Sequence, residues 1–297
     1  MSGMDTPVTL PVEVADWKTA PFDVKGEAVF AIGDVHGCAR ELGALLGAIR
    51  TLATESGGRR RLVYLGDMIN RGPDSVDVLE QWAEDEARHG VDHVDRLMGN
   101  HEIMMMLAAI GGPHAQRAEA MWLSKRMGGQ VLLDQMGARL GRPAAHADIP
   151  FLQAALGEKI LHQLYAMRSH FRLGNTLFVH GGLDPHADPD EFLARPWTLF
   201  TEARWAWINH GFLDWKGGFD GTLVVHGHTP PDKHRAISGL ADPHAFEGDR
   251  LGLDGGSART GIVTAAEIRN GRYRILKAGI PMAQPISSLR EPRVIPL

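Results

Sequence analysis

The sequence predicts an α/β fold, with central β-sheets flanked by helices and a helical insertion in mid-chain. Three observations predict it. Short apolar runs alternate with amphipathic segments through the first third of the chain. A block of helical periodicity, about 103–166, interrupts that alternation. Apolar runs then return, the last two joined by Asn270-Gly271. Alternating strands and helices imply right-handed crossovers and a mainly parallel sheet.

Residues 1–26 are proline-rich without sustained periodicity and read as an N-terminal arm lying on the surface. "AVFAIGD" is short and apolar, as a buried strand is. In "CARELGALLGAIRTLATES", Leu42, Leu45, Leu46 and Ile49 recur at helical spacing, and "SGG" ends the helix. "RRLVYLGD" is a second buried strand. "GPDSVDVLEQWAEDEARHG" is a helix with Pro73 and Asp74 near its start and Gly90 at its end. "VDHVDRLMGNHE" is a third strand running into a turn. "EIMMMLAAI", "AQRAEAMWLSKRMGGQVLLDQMG" and "PFLQAALGEKILHQLYAM" are helical, divided by "GGP" and "GRPAA". No linker-like tract surrounds them, so they form an insertion or lid within one domain over 27–282. Strands follow in "HFRLGNTLFVHGG", "GTLVVHGHTPP", "DRLGLDGG" and "GIVTAAEIRNGRYRILKAG", where Asn-Gly is a strong hairpin signal. Residues 283–297 form a C-terminal tail.

Composition narrows the function classes. A hydrophobic content of 44% suffices for a sizeable core. A net charge of −5 argues against a whole-chain nucleic-acid or anionic-membrane binder. The single cysteine, Cys38, excludes an intrachain disulfide framework and fits a reducing compartment. The N-terminal stretch lacks the basic-then-apolar order of a signal peptide, and no apolar stretch approaches the roughly 20 residues that span a bilayer. The cytoplasm is the expected location.

In open α/β sheets, ligands collect beyond the C-terminal ends of the strands. Five apolar runs end in chemistry there. They deliver Gly33-Asp34-Val35-His36-Gly37, Gly66-Asp67-Met68-Ile69-Asn70-Arg71-Gly72, Gly99-Asn100-His101-Glu102, His180-Gly181-Gly182 and His226-Gly227-His228-Thr229-Pro230. Each block alone has a plain structural explanation; Asn100 could cap a helix, and His180 or His226 could be a core histidine. Five in succession point to a metal site. Carboxylate, amide and imidazole donors suit Mn²⁺, Fe or Zn²⁺ better than the all-oxygen preferences of Ca²⁺ and Mg²⁺. The donors exceed the needs of one ion, and a pair of ions is the arrangement used for in-line displacement at phosphorus. Residues i and i+2 of a strand share a face, so Asp34 and His36 are expected to reach one ion together.

The blocks GDVHG, GDMINRG, GNHE, HGG and GHT, spanning residues 33 to 229, resemble the calcineurin-like metallophosphoesterases. The likeness is strongest to the branch of phosphoprotein phosphatases and symmetrical diadenosine tetraphosphatases. The resemblance implies the metallophosphoesterase fold, of α+β sandwich type. By position it implies one ion held by Asp34, His36 and Asp67, and a second held by Asp67, Asn100, His180 and His228. The cofactor implied is two divalent ions, Mn²⁺ first, with Fe, Zn²⁺, Ni²⁺ or Co²⁺ as alternatives. His226 is then a packed neighbour. A hydroxide bridging the ions would attack phosphorus, Arg71 would bind phosphate oxygens, and His101 would be the general acid.

Two departures bear on the substrate. Protein phosphatases of this family carry Asp where Asn70 stands. That Asp orients the catalytic histidine and favours its charged form, so Asn70 implies a weaker acid–base pair. The diadenosine tetraphosphatase branch also lacks this Asp. In "WINHGFLDW", Asn209 occupies the place of a phosphate-gripping arginine; Arg204, Lys216, Lys125 and Arg126 are candidate substitutes. The expected activity is phosphomonoester hydrolysis, with serine/threonine protein phosphatase as the main reading. The alternatives are a dinucleoside polyphosphate hydrolase and a non-catalytic metal- or phosphate-binding module. The partner is a phosphorylated substrate, phosphoprotein or nucleotide, with no membrane and no nucleic acid. Trp122, Trp205, Trp207 and Trp215 read as core or lid packing, with nucleobase stacking as the alternative.

Overall fold

The computed structural model describes residues 10–200 and 202–279. The expected tail over 283–297 and the boundary at 282 lie outside them. The chain opens with two short strands, β1 (Val12–Val14) and β2 (Lys18–Thr19), followed by β3 (Ala28–Ile32), α1 (Ala39–Thr54), β4 (Arg60–Tyr64), α2 (Ser75–Trp82), α3 (Glu86–His89) and β5 (His93–Arg96). Five helices come next: α4 (Asn100–Ile110), α5 (Ala115–Trp122), α6 (Gly129–Arg139), α7 (Ile149–Leu156) and α8 (Glu158–Tyr165). The chain continues as β6 (His170–Leu173), β7 (Thr176–Val179), α9 (Pro189–Ala194), β8 (Leu223–His226), α10 (Pro231–Ser238), β9 (Arg250–Gly252), α11 (Ser257–Thr260), β10 (Val263–Arg269) and β11 (Arg272–Ala278).

Two sheets result. One runs β1-β11-β10-β3-β4-β5, with β2 also on β11; the other runs β6-β7-β8-β9. Only β3-β4-β5 and β7-β8-β9 are parallel; their neighbours are antiparallel. The fold therefore departs from one mainly parallel sheet. The closing hairpin forms at Asn270-Gly271, pairing Arg269 with Arg272, and its first strand caps β3 in the antiparallel sense. The described part of the N-terminal arm joins this sheet through β1 and β2. Such short strands carry no readable periodicity.

Side-chain alternation sets the layers. Val29, Ala31, Val63 and Leu65 of the first sheet meet Phe178, Leu223, Val225 and Leu251 of the second in one buried cluster. The intervening Phe30, Ile32, Leu62 and Tyr64 face the cluster under the helices. Each strand is thus buried on both faces, which is why these runs read as continuous rather than alternating. Three expected helices are divided. Asp85 caps a fresh turn by accepting from the Arg88 N–H, separating α3 from α2. Gly128 (φ 70°) separates α6 from α5, and Gly157 (φ 86°) separates α8 from α7. No helix of the described residues is long and apolar enough to cross a membrane.

Candidate metal centre

The candidate residues converge where the parallel strands of both sheets end. β3 stops at Ile32, so Asp34 and His36 lie beyond the strand and strand alternation does not aim them. The turn does: His36 has φ 45°. Gly33 is required here, because a Cβ on it would lie 2.1 Å from the Leu253 carbonyl oxygen. The loop after β4 is stitched to this turn, the Asp67 carbonyl accepting from the Val35 and His36 N–H groups, both at 3.0 Å. Gly72 closes the same contact; a Cβ there would lie 2.0 Å from the His36 carbonyl oxygen.

Backbone strain concentrates at this place. Of eight non-glycine residues with positive φ among the described residues, five are His36, Asp67, Asn70, Arg71 and His228. Left-handed backbone is unfavourable for residues with a Cβ and persists where surroundings over-determine it. One such constraint is Glu102, in the first turn of α4. Its buried carboxylate accepts from the N–H groups of Asp67 (2.9 Å), Met68 (2.8 Å) and Gly99 (3.1 Å). The His101 N–H, at the start of the same helix, donates to Asp67 Oδ1 at 3.0 Å.

Asp67 is the common member of two groups of closely spaced donors. His36, Asp67 and His101 form one; Asp67, His180 and His228 form the other. Asp67 Oδ2 lies 3.7 Å from His36 Nε2, 3.9 Å from His101 Nε2 and 3.3 Å from His180 Nε2. Asp34 Oδ2 is 3.8 Å from His36 Nε2. Asn100 Oδ1 lies 3.1 Å from His180 Nε2 and 2.9 Å from His228 Nδ1. His226 lies apart, its ring stacked on His234 at 5.8 Å and edge-on to Phe212.

This donor set fits divalent ions. His36 Nδ1 and His180 Nδ1 each donate to a backbone carbonyl at 2.9 Å, of Ile69 and Leu65, and His228 Nε2 donates to the Trp207 carbonyl at 3.1 Å. A carbonyl only accepts, so the remaining ring nitrogen of each is the one left to bind a cation. Asp34 Oδ2 is buried without a hydrogen-bond partner. Burial and the Arg71 charge push His36 down to about 4, and burial with the His180 charge pushes His228 down to about 3. Burial raises the Asp34 carboxyl well above its ordinary range, with Asp254 adding to the effect. Burial opposes charge on His180 as well, but Asp67, Asp34 and Glu102 outweigh it and push it up to about 10. Burial thus penalises the ionised Asp34 carboxylate, and a cation bound beside it would relieve that penalty.

Around these groups lies a cleft of about 230 Å³ lined by His36, Arg71, Pro230, Asp254, Gly256 and Arg259, among others. Arg71 Nη1 reaches His36 Nε2 at 2.6 Å. Asn70 Nδ2 meets His101 Nδ1 at 2.7 Å, and Asn70 Oδ1 accepts from Trp122 Nε1 at 3.0 Å. His101 Nε2 is buried without a partner. Asn209 Oδ1 accepts from the His210 N–H. Arg204 pairs with Asp184 at 3.1 Å, and Lys216 donates to the Ser238 carbonyl. Lys233, on α10, is a basic residue whose charge acts on His228, and burial with the Arg126 charge lowers its own pKa.

Two contributors were not singled out from sequence, and a third, Trp122, was read there only as packing or stacking. Asp254, pushed up to about 6 chiefly by burial, follows β9 in "LDGG". It repeats the strand-end pattern of the other five blocks. Glu102 stands in "GNHE", but its Asp67 and Met68 partners are backbone groups more than 30 residues away. Trp122 gave no signal beyond its size.

Residues 28–256 match the family model described as calcineurin-like phosphoesterase. Over 167 residues the chain is 30% identical to a symmetrical bis(5'-nucleosyl)-tetraphosphatase of Acidovorax sp. (strain JS42), covering 56% of this chain and 48% of that one. It is 28% identical over 158 residues to the protein of the same name from Neisseria meningitidis serogroup A, covering 53% and 44%. The chain thus spans about half the length of the curated relatives it matches. The solved cold-active protein-tyrosine phosphatase of a psychrophilic Shewanella sp. aligns at 16% identity and a TM-score of 0.47, over 84% of this chain and 80% of that one. That likeness carries no argument about activity.

Proposed function

The chain belongs to the calcineurin-like phosphoesterase family, and on that premise we propose that it hydrolyses dinucleoside polyphosphates of the diadenosine tetraphosphate kind, in preference to phosphoproteins. The curated relatives support this substrate class by their names. The observation that carries it is the Asn70–His101 hydrogen bond.

The leaving group decides. A serine or threonine alkoxide is a strong base and must be protonated as it departs, which favours a charged histidine held by a carboxylate. A nucleotide phosphate departs as an anion, with a proton affinity near pH 6 for its last oxygen, and needs only a hydrogen bond. Asn70 brings no negative charge, and burial holds His101 well below its ordinary value. His101 is therefore neutral at pH 7 and suited to the second kind of leaving group.

We assign Asp34, His36 and Asp67 to one divalent ion, and Asp67, Asn100, His180 and His228 to the other, with Mn²⁺ as the first candidate metal. Bound there, the ions would neutralise phosphate charge and lower the pKa of a water to near neutrality. The protein's own groups do the rest. Arg71 binds phosphate oxygens with its permanent charge and planar fork. His101 Nε2 donates to an oxygen on the reacting phosphate or the leaving group. Asp67 keeps its negative charge, because the charged His180 beside it, hydrogen-bonded to its carboxylate, outweighs the effect of its burial. Lys233, whose charge reaches His228, is the candidate for the charge that Asn209 does not provide.

The test compares the Mn²⁺-loaded protein on diadenosine tetraphosphate, a phosphoserine peptide and p-nitrophenyl phosphate. The expected result is the highest kcat/KM on the dinucleotide. Higher kcat/KM on the phosphopeptide would overturn the substrate assignment, and no turnover of any of the three would overturn the catalytic one.

A further inference from the structure

We infer that Trp122, a residue of the helical insertion, fixes the tautomer of His101 by way of Asn70. An indole N–H can only donate. The Asn70 atom 3.0 Å from Trp122 Nε1 is therefore the carbonyl oxygen, and the amide nitrogen must face His101. An amide NH₂ can also only donate. His101 Nδ1, 2.7 Å away, therefore accepts and carries no proton. The one proton of the neutral ring is on Nε2, the buried atom without a partner, 3.9 Å from Asp67 Oδ2. Trp122 and Asn70 are both buried, so water does not compete for either hydrogen bond.

Chain geometry keeps the relay in register. The Trp122–Gly128 turn lies directly on the strained loop, where the Arg71 N–H donates to the Gly128 carbonyl at 3.2 Å. Gly128 has φ 70°, and a Cβ on it would lie 3.0 Å from the Arg71 backbone. The insertion is thus docked onto Asn70 and Arg71 together. Trp122 is a positioning residue: it touches no reacting atom and acts by choosing which face of the Asn70 amide meets the imidazole. With a carboxylate at position 70, both oxygens would accept, and His101 Nδ1 would have to be the donor. The same Trp122 contact would then be compatible with the opposite tautomer.

This inference concerns the His101 proton and does not depend on the substrate proposed above. Its test is ¹⁵N NMR of the histidine-labelled full chain, metal-free and loaded with diamagnetic Zn²⁺, with H101Q identifying the His101 signals. The parent is expected to show an unprotonated Nδ1 and a protonated Nε2. Trp122→Phe removes the indole donor and is expected to give a mixture of tautomers. Asn70→Asp is expected to protonate Nδ1. A proton on Nδ1 in the parent would overturn the inference, as would a Trp122→Phe protein with the parental His101 pattern. If Trp122→Phe does not fold, Asn70→Asp decides alone, and an unprotonated Nδ1 in that variant refutes the relay.

Discussion

Glu102→Gln isolates the clamp on the Asp67 loop with almost no change in side-chain volume. The Glu102 carboxylate has two oxygens facing three backbone N–H groups within 3.1 Å, of Asp67, Met68 and Gly99. A glutamine keeps one acceptor oxygen and turns an NH₂ group toward at least one of those donors. One or two buried N–H groups are left unsatisfied, at roughly 1–3 kcal/mol each. A loss of about 2–4 kcal/mol of stability follows. For a chain of this size each kcal/mol moves Tm by about 2–4 °C, so the variant should melt roughly 5–15 °C lower by scanning calorimetry. The damage should also reach function, because the clamp sets the position of Asp67, whose φ is 55°. Metal content after dialysis, read by mass spectrometry, is expected to fall below the parent's. A variant that melts within about 1 °C of the parent and keeps the parent's metal content would refute the clamp.

Two other outcomes are expected. Burial pushes His89, His234 and His244 each down to about 4. The unfolded chain, with histidine pKa near 6.5, then binds protons that the folded chain refuses. Stability is therefore full above pH 6.5 and is lost as pH falls from 6.5 toward 4. At pH 5 the loss is about 2 kcal/mol per histidine at most. Urea titrations at pH 7.5 and 5.0 should show a smaller drop in His89→Gln and His244→Gln than in the parent; equal drops would refute the linkage. At the metal centre, His228→Gln should lose one metal equivalent while His226→Phe keeps both, since the His226 ring stacks on His234 and packs edge-on to Phe212. Loss of metal in His226→Phe alone would reverse that assignment.

What was legible in the sequence was whatever is written in adjacent residues. Five apolar runs ending in Gly-flanked Asp, Asn and His give the site, because parallel strands deliver their C-terminal ends to one edge. Asn270-Gly271 gives the closing hairpin for the same reason: a tight turn is specified by the two residues that make it. The rest depended on partners far away in the chain. β1 and β2 form because β11 offers an edge, and nothing within residues 12–19 records it. Gly128 and Gly157 sit inside apolar patterns that continue on both sides, so the helix breaks are silent until the backbone is seen. Asp34 and His36 do converge, but through a positive φ at His36 and not through strand alternation. Glu102 and Trp122 act on residues more than 30 positions away, through hydrogen bonds no local pattern announces.

The strained positions explain why those distant partners are there. Five non-glycine residues in the left-handed region, at roughly 1–2 kcal/mol each, amount to about 5–10 kcal/mol, which is comparable to the whole stability of an ordinary domain. A loop could not hold that conformation unaided. Each strained residue is met by a fixed contact: His36 N–H on the Asp67 carbonyl, Asp67 N–H on Glu102, Asn70 N–H on Ser75 Oγ at 2.9 Å, Arg71 N–H on the Gly128 carbonyl and His228 N–H on Asp34 Oδ1 at 2.8 Å. The partners come from five different segments, including α4 and the helical insertion. The insertion is therefore part of what holds the site in shape. It supplies one backbone acceptor to Arg71 and one indole donor to Asn70, at neighbouring residues of the same loop. A change in the insertion that shifts the Trp122–Gly128 turn would thus displace Arg71, the proposed phosphate-binding residue, and release the His101 tautomer together, without touching a proposed metal ligand.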